Sequence, residues 1–165
     1  MVGGNVEEIQ QLHEKSVGEL VPRPTTTKVI GCKWVLRVKR RPDGSLDKFK
    51  ARLVALGCSQ QFGVNYTETF SPVISRETIR MMFALTCEMG WSMRHVGVTS
   101  AYRYLNSALN DLIYMEQPEC FVEVGKQNWV CKLKRTLYGL KQSGKGWYDT
   151  IYRILTSLGF VRSAI

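Results

Sequence analysis

Two short runs decide how this chain is read: Cys32-Lys-Trp-Val-Leu-Arg-Val-Lys39 and Lys48-Phe-Lys-Ala-Arg-Leu-Val-Ala55, joined across Arg41-Pro-Asp-Gly44. In the first, Cys32, Trp34, Leu36 and Val38 fall on one side of an extended chain, while Lys33, Arg37 and Lys39 fall on the other; Val35 is the exception. In the second, Phe49, Ala51, Leu53 and Ala55 are apolar, and Lys48, Lys50 and Arg52 are basic. Such alternation marks strands with one buried face. Pro42 suits the first corner of a turn and Gly44 its exit, so a hairpin is predicted over 32–56. A register with Leu36 opposite Phe49 and Trp34 opposite Ala51 keeps one face apolar. It also sets Arg37 opposite Lys48 and Lys33 opposite Arg52. Directly opposed like charges destabilise a sheet unless something anionic lies across them. Lysine-rich outer faces are common on exposed strands. Here opposing carboxylates are nearly absent, and a phosphate backbone or triphosphate is the preferred occupant.

The whole chain shares this bias, with 23 basic against 14 acidic residues and a formal charge of +9, which favours a polyanionic partner. With 44% hydrophobic and 22% charged residues the composition is that of a globular protein rather than a disordered one. The cysteines at 32, 58, 87, 120 and 131 are odd in number and lack a C-x-x-C pair, and the histidines are His13 and His95. A zinc site or disulfide framework is therefore not expected, and a reducing compartment fits. Glu7 and Glu8 stand where a secretory signal needs a basic and then apolar run. No apolar stretch approaches the ~18 residues of a membrane span. A soluble protein of the cytoplasm or nucleus is expected, with no membrane partner and no oligomeric state indicated.

Along the rest of the chain, Asn5 to Glu8 resembles a capping box, and Val6, Ile9 and Leu12 fall at helical spacing, predicting a short helix over 5–15 without a function of its own. Leu20 to Pro24 is extended and proline-broken, and 59–72 is a loop with embedded aromatics. Ser75 is an N-cap for a helix whose stripe of Ile79, Met82, Phe83 and Cys87 is expected to pack in the core before Gly90 ends it. Trp91 to Thr99 and Leu112 to Met115 are expected strands. Cys120–Val124 and Trp129–Leu133 are expected to form a second hairpin across Gly125. Trp147, Ile151, Leu155 and Leu158 mark a last helix ended by Gly159. Gly97, between Val96 and Val98, stands at a strand end, a usual position for chemistry on such scaffolds.

Several stretches resemble the reverse transcriptase of copia-type LTR retrotransposons, from about Glu19 to about Ser163. They are Glu19-Leu-Val-Pro-Arg-Pro24, Gly31-Cys-Lys-Trp-Val35, Asp43-Gly-Ser45, Lys50-Ala-Arg-Leu-Val-Ala55, Glu68-Thr-Phe-Ser-Pro-Val73, Ile113-Tyr-Met-Glu-Gln-Pro118 and Leu137-Tyr-Gly-Leu-Lys-Gln142. The resemblance implies an α+β fold, the fingers and first part of the palm of a right-hand polymerase, mostly antiparallel sheet with packed helices. It divides the chain into an N-terminal helix and lead-in over 1–18, a fingers-like region over 19–90 carrying the basic hairpin, and a partial palm over 91–165. It also implies that Lys33, Arg37, Lys48, Lys50 and Arg52 hold nucleotide or nucleic acid, that Tyr102 closes over the nucleotide sugar, and that Gln142 lines the nucleotide pocket.

Family chemistry uses two magnesium ions held by carboxylates, one from an aspartate at the end of the first palm strand and a pair from a later hairpin. Gly97 occupies the first position, and the later pair would lie beyond Ile165. Arg103-Tyr104 reads as an insertion, Ser107 stands where the family has glycine, and Gly144-Lys145 replaces its proline and basic residue. Asp43, Asp47, Asp111 and Asp149 are the chain's four aspartates, and none adjoins another in sequence. Glu116 and Glu119 are poorly placed to substitute. No catalytic residue, metal ligand or cofactor is therefore expected, and the chain reads as a truncated, degenerate fragment without polymerase activity. The alternatives are a module retained to bind RNA or DNA through the hairpin, and a polymerase completed by another chain.

Overall fold

The computed structural model describes residues 2–94 and 105–162. The order is α1 (Val2–Glu14), β1 (Gly18–Pro22), β2 (Val29–Ile30), β3 (Cys32–Arg40), β4 (Leu46–Ala55), α2 (Arg76–Glu88), β5 (Ala108–Met115), β6 (Trp129–Arg135) and α3 (Ser143–Ser157). A four-stranded sheet runs β1-β6-β5-β2, and β3-β4 form a separate two-stranded ribbon. Among the described strands the pairs β1/β6, β5/β6 and β3/β4 are antiparallel, and β2/β5 is parallel. This is the α+β, mostly antiparallel architecture expected. The sheet sets β5 and β6, from the C-terminal half, side by side at its centre with β1 and β2 on the outside, and Gly31 alone separates β2 from β3, so the ribbon projects directly from the sheet.

The β3/β4 ribbon forms where the alternation places it, but its register differs from the expected one. Leu36 faces Ala51, Trp34 faces Leu53, Val38 faces Phe49, Arg37 faces Lys50 and Lys39 faces Lys48. Val35 faces Arg52 and Lys33 faces Val54, so the expected Lys33–Arg52 pair does not occur. The reason lies in the turn: Gly44, at a φ of +84°, donates to the Arg41 carbonyl, Arg41 donates to the Ser45 carbonyl, and the ladder shifts between Lys39 and Arg40. The slip is by an even number of positions, so it exchanges partners without exchanging faces.

Other expectations meet specific obstacles. Residues 120–124 form no strand; β6 pairs instead with β1 and β5, and the Gln117 side chain holds the intervening loop by donating to the Lys126 and Trp129 carbonyls. The first helix begins at Val2, which leaves Asn5 inside it rather than at its cap. Ser75 does cap α2, accepting from the Thr78 amide at 3.1 Å. The α2 stripe is not core, however: Met82 is 45% and Phe83 52% exposed. No described element lies broadly against that helix to cover it. The expected strand over Trp91 to Thr99 falls mostly outside the described residues, and 91–94 are not strand.

The core instead joins Ile30, Leu53, Leu105, Ile113, Leu133 and Leu137, with Val17 and Met115 beside them. It draws from the ribbon base, the sheet and the turn before α3. Two glycines lock that turn to β4. Gly139 has a φ of +89°, and a Cβ there would overlap the Ala55 carbonyl; a Cβ on Gly57 would overlap the Gly139 carbonyl. The backbones can approach only because neither residue carries a side chain. Gly139→Ala therefore costs both a strained φ and a steric displacement, together about 2 kcal/mol or more. A fall in Tm of at least about 4 °C is expected in a thermal melt, and an unchanged melt would contradict the interlock.

Candidate nucleic-acid interface

The hairpin's basic side chains are set by strand parity, and the ribbon's far end is exposed, with no third strand beside it among the described residues. Arg37 and Lys50 are direct cross-strand neighbours, as are Lys39 and Lys48. The crowding is visible in Lys50, whose ammonium is held below its ordinary pKa first by burial and then by Arg52, Lys39 and Lys48, with Glu8 opposing. Arg52 stacks over the Tyr138 ring at 5.4 Å from its centroid, which orients the guanidinium toward the turn before α3.

Three of the expected binding residues, Lys48, Lys50 and Arg52, meet in one trough of about 390 Å³, with Tyr138 at its end. Lys33 and Arg37 belong to the neighbouring strand and do not line it. The opposite wall comes from α1, which lies against β4 and contributes Glu7, Glu8, Gln11 and Glu14, with Lys15 just past the end of the helix. Sequence reasoning assigned that helix no role. Its only signal was the absence of any lysine or arginine between Val2 and Glu14 in a chain of net charge +9. Glu8 is buried and accepts from the Leu53 amide at 3.3 Å, on the edge of β4 that faces away from β3. Burial raises its carboxyl above the ordinary value, against the lowering effects of the Leu53 N–H, Arg52 and Lys50. The folded state thus holds this proton more tightly than the unfolded one. Its contribution to stability is greatest below the ordinary carboxylate range and declines as pH rises through the raised value.

Gln142 lies elsewhere. It precedes α3, and its amide is enclosed by polar partners: Nε2 donates to the Asn65 carbonyl at 2.8 Å and to Asp111 Oδ2 at 2.9 Å, while Oε1 accepts from Gln60 Nε2 at 3.0 Å. Both amide hydrogens are thereby engaged in tying the 59–66 loop to β5 and α3. Gln142 borders a cleft of about 320 Å³ that also gathers Glu68, Asp111 and Asp149, carboxylates far apart in sequence. Lys145 lies among them, 2.7 Å from Asp149 and 3.8 Å from Glu68. Tyr102 and Gly97 lie outside the described residues.

These carboxylates do not suit a two-magnesium centre. A magnesium ion needs several oxygens held close to octahedral geometry. Here Asp111 is committed to an amide and Asp149 to an ammonium. Among the described residues no group of histidine, cysteine, aspartate or glutamate is arranged to hold a metal. The cysteines are free thiols. Burial pushes Cys32 up to about 11, aided by Cys131 and Glu116, and burial and Glu116 push Cys131 to about 11 as well.

An α+β scaffold with an antiparallel basic ribbon beside a mixed sheet, carrying those motifs in that order, defines a reverse transcriptase-like domain. The reverse transcriptase (RNA-dependent DNA polymerase) family matches residues 15–165, and the chain belongs to it. It is similar to the retrovirus-related Pol polyprotein from transposon RE1 of Arabidopsis thaliana, 42% identical over 142 residues that make up 86% of this chain and 10% of the polyprotein. The retrovirus-related Pol polyprotein from transposon TNT 1-94 of Nicotiana tabacum is 39% identical over 157 residues, 95% of this chain and 12% of its own length. An uncharacterized mitochondrial protein of Arabidopsis thaliana is 43% identical over 89 residues, 53% of this chain and 52% of its own. The copia-type resemblance read from the motifs therefore stands, and the chain spans about a tenth of the length of the retrotransposon polyproteins it matches. No solved structure matches it.

Iodoacetamide at about pH 8 reacts through the thiolate, so the exposed Cys58, Cys87 and Cys120 should be alkylated well before Cys32 and Cys131. Peptide mass spectrometry over a time course checks the order, and early modification of Cys32 would contradict the buried assignment.

Proposed function

We propose that this chain is a reverse transcriptase-like module that binds RNA or DNA through its basic hairpin and does not itself polymerise. The observation that carries the binding reading is the ladder of like charges, Arg37 opposite Lys50 and Lys39 opposite Lys48, on a ribbon whose tip faces solvent. A phosphate chain across these side chains would relieve their repulsion, and the bound counterions released on contact would add to affinity. Lys33 and Arg37 extend the same basic character along β3. The names of the polyprotein relatives are consistent with a nucleic-acid-handling ancestry.

The absence of polymerisation rests on Gly97. The position matching the family's metal-binding aspartate has no side chain, and no other group can supply a ligand from that backbone site. The carboxylates of the Asp111 cleft are held by Gln142 and Lys145. We assign 19–90 to the fingers-like part and 91–165 to a partial palm, with Tyr102 and Gln142 as remnants of the nucleotide pocket.

Affinity for an oligonucleotide should fall steeply with salt, and Lys48→Ala with Lys50→Ala and Arg52→Ala should reduce the slope of log K against log salt by about 2 units. A salt-independent or absent affinity would overturn the binding assignment. Primer extension on an RNA template with magnesium or manganese should give no incorporation above a protein-free blank, and incorporation that co-purifies with the chain would refute inactivity.

A further inference from the structure

The acidic wall of the basic trough is not explained by nucleic-acid binding. Helix α1 carries Glu7, Glu8 and Glu14 and no lysine or arginine, in a chain with a large basic excess. That helix, and not α2 or α3, is the one seated against β4, close enough that a Cβ on Gly4 would lie 3.2 Å from the Phe49 carbonyl. Its carboxylates face the trough that Lys48, Lys50 and Arg52 line, where Lys15, the residue after the helix, is the one cation on the α1 side among the described residues. Acidic side chains are thus concentrated beside the side chains that would meet phosphate.

The three glutamates have different situations. Glu8 is buried and fixed to the Leu53 amide, so it anchors the helix. Glu7 and Glu14 are exposed, and Glu14 accepts from Gln10 at 2.9 Å. Among the described residues neither forms an ion pair, and neither do Lys48 and Lys50. Glu7 and Glu14 therefore share a trough with Lys48 and Lys50 without being locked to them, and these two lysines keep their donors available. A loose arrangement of this kind weakens the positive potential without closing the site.

We propose that α1 is an intramolecular competitor for the hairpin: its carboxylates occupy the electrostatic place of a phosphate chain along β4, and nucleic acid binds by displacing or outbidding them. This deepens, and rests on, the assignment of the hairpin as a nucleic-acid-binding element. Glu8 holds α1 in place, while Glu7 and Glu14 set the strength of competition. The consequence is a binding surface whose affinity is held below what its lysines alone would give. Affinity then depends on whether α1 lies on β4.

The test compares four forms of the full chain for binding to a labelled single-stranded RNA of about 20 nucleotides at about 50 mM salt. They are the unaltered chain, Glu7→Gln with Glu14→Gln, Glu77→Gln with Glu88→Gln, and the glutamine pair at 7 and 14 combined with Lys48→Ala, Lys50→Ala and Arg52→Ala. The Glu77/Glu88 pair removes the same charge from α2, which contributes nothing to the trough. Removing Glu7 and Glu14 should tighten binding at least about threefold. The α2 control should change it by clearly less, and the gain should vanish in the combined variant. A fifth form, with Glu8→Gln added to the Glu7/Glu14 pair, retains an acceptor for the Leu53 amide and should add to the gain with no loss of melting temperature. If the unaltered chain binds and the hairpin lysines matter, but the α1 and α2 pairs give equal changes, the competitor role is overturned and the binding assignment survives. If no form binds, including the one freed of Glu7 and Glu14, both are overturned.

Discussion

The outer edge of β4 is the constraint on which the rest of the molecule depends. Among the described residues the ribbon has two strands, so one row of backbone groups on each finds no partner within the ribbon, and buried N–H groups must find partners elsewhere. Two such groups on β4 are satisfied from distant parts of the chain. The Leu53 amide donates to the Glu8 carboxylate, and the Ala55 amide donates to the Tyr138 carbonyl at 2.8 Å. The first bond holds the N-terminal helix to the ribbon. The second brings the turn before α3 to the ribbon base, where Gly57 and Gly139 allow the backbones to pass. Leu53 itself is buried between them in the core shared with the four-stranded sheet.

That edge also explains why the charged features fall where they do. Residues 51, 53 and 55 turn their side chains into the core, so Lys50 and Arg52 must emerge on the other face, beside the edge and within reach of α1. Burial of a carboxylate is unfavourable unless it is hydrogen-bonded and near positive charge. Glu8 meets both conditions, and its raised pKa shows that burial still outweighs them. The basic side chains in turn gain nearby negative charge that relieves part of their mutual repulsion. Helix and ribbon thus each moderate an electrostatic penalty in the other, and a ligand that replaces one partner must contend with the second.

The second polar centre, around Gln142, has a different character. Gln60, Asn65, Asp111 and Gln142 form a connected set of hydrogen bonds between a loop, a strand and a helix start. Such a network fixes geometry because an unpartnered member would be costly. It stabilises the arrangement of the cleft while consuming the groups that could have contacted a ligand. The basic ribbon, by contrast, leaves Lys39 and Lys48 exposed and Lys50 only half-buried. Of the two, the ribbon is the better suited to a polyanion.

Strand parity and turn chemistry made the ribbon, its apolar face and its basic face legible from residues alone, because side-chain direction in a strand alternates whatever surrounds it. The Ser75 cap and the Gly159 stop were legible for the same local reason, and the ordered motifs were enough to indicate the family. Register was not, since slips by two preserve the pattern and only the turn's own hydrogen bonds choose among them. Nor was the pairing of β6 with β1 and β5, or the exposure of the Met82 and Phe83 stripe, because an apolar face does not specify what covers it. Least visible was the meeting of Glu8 with Leu53, of Arg52 with Tyr138, and of Gln142 with Asp111. Those contacts join residues separated by tens of positions, and nothing in local propensity records them. The sequence by itself determined which faces are basic and which apolar, through alternation; only the tertiary structure decided that a helix of carboxylates lies beside the basic edge, through the need to satisfy an unpaired strand.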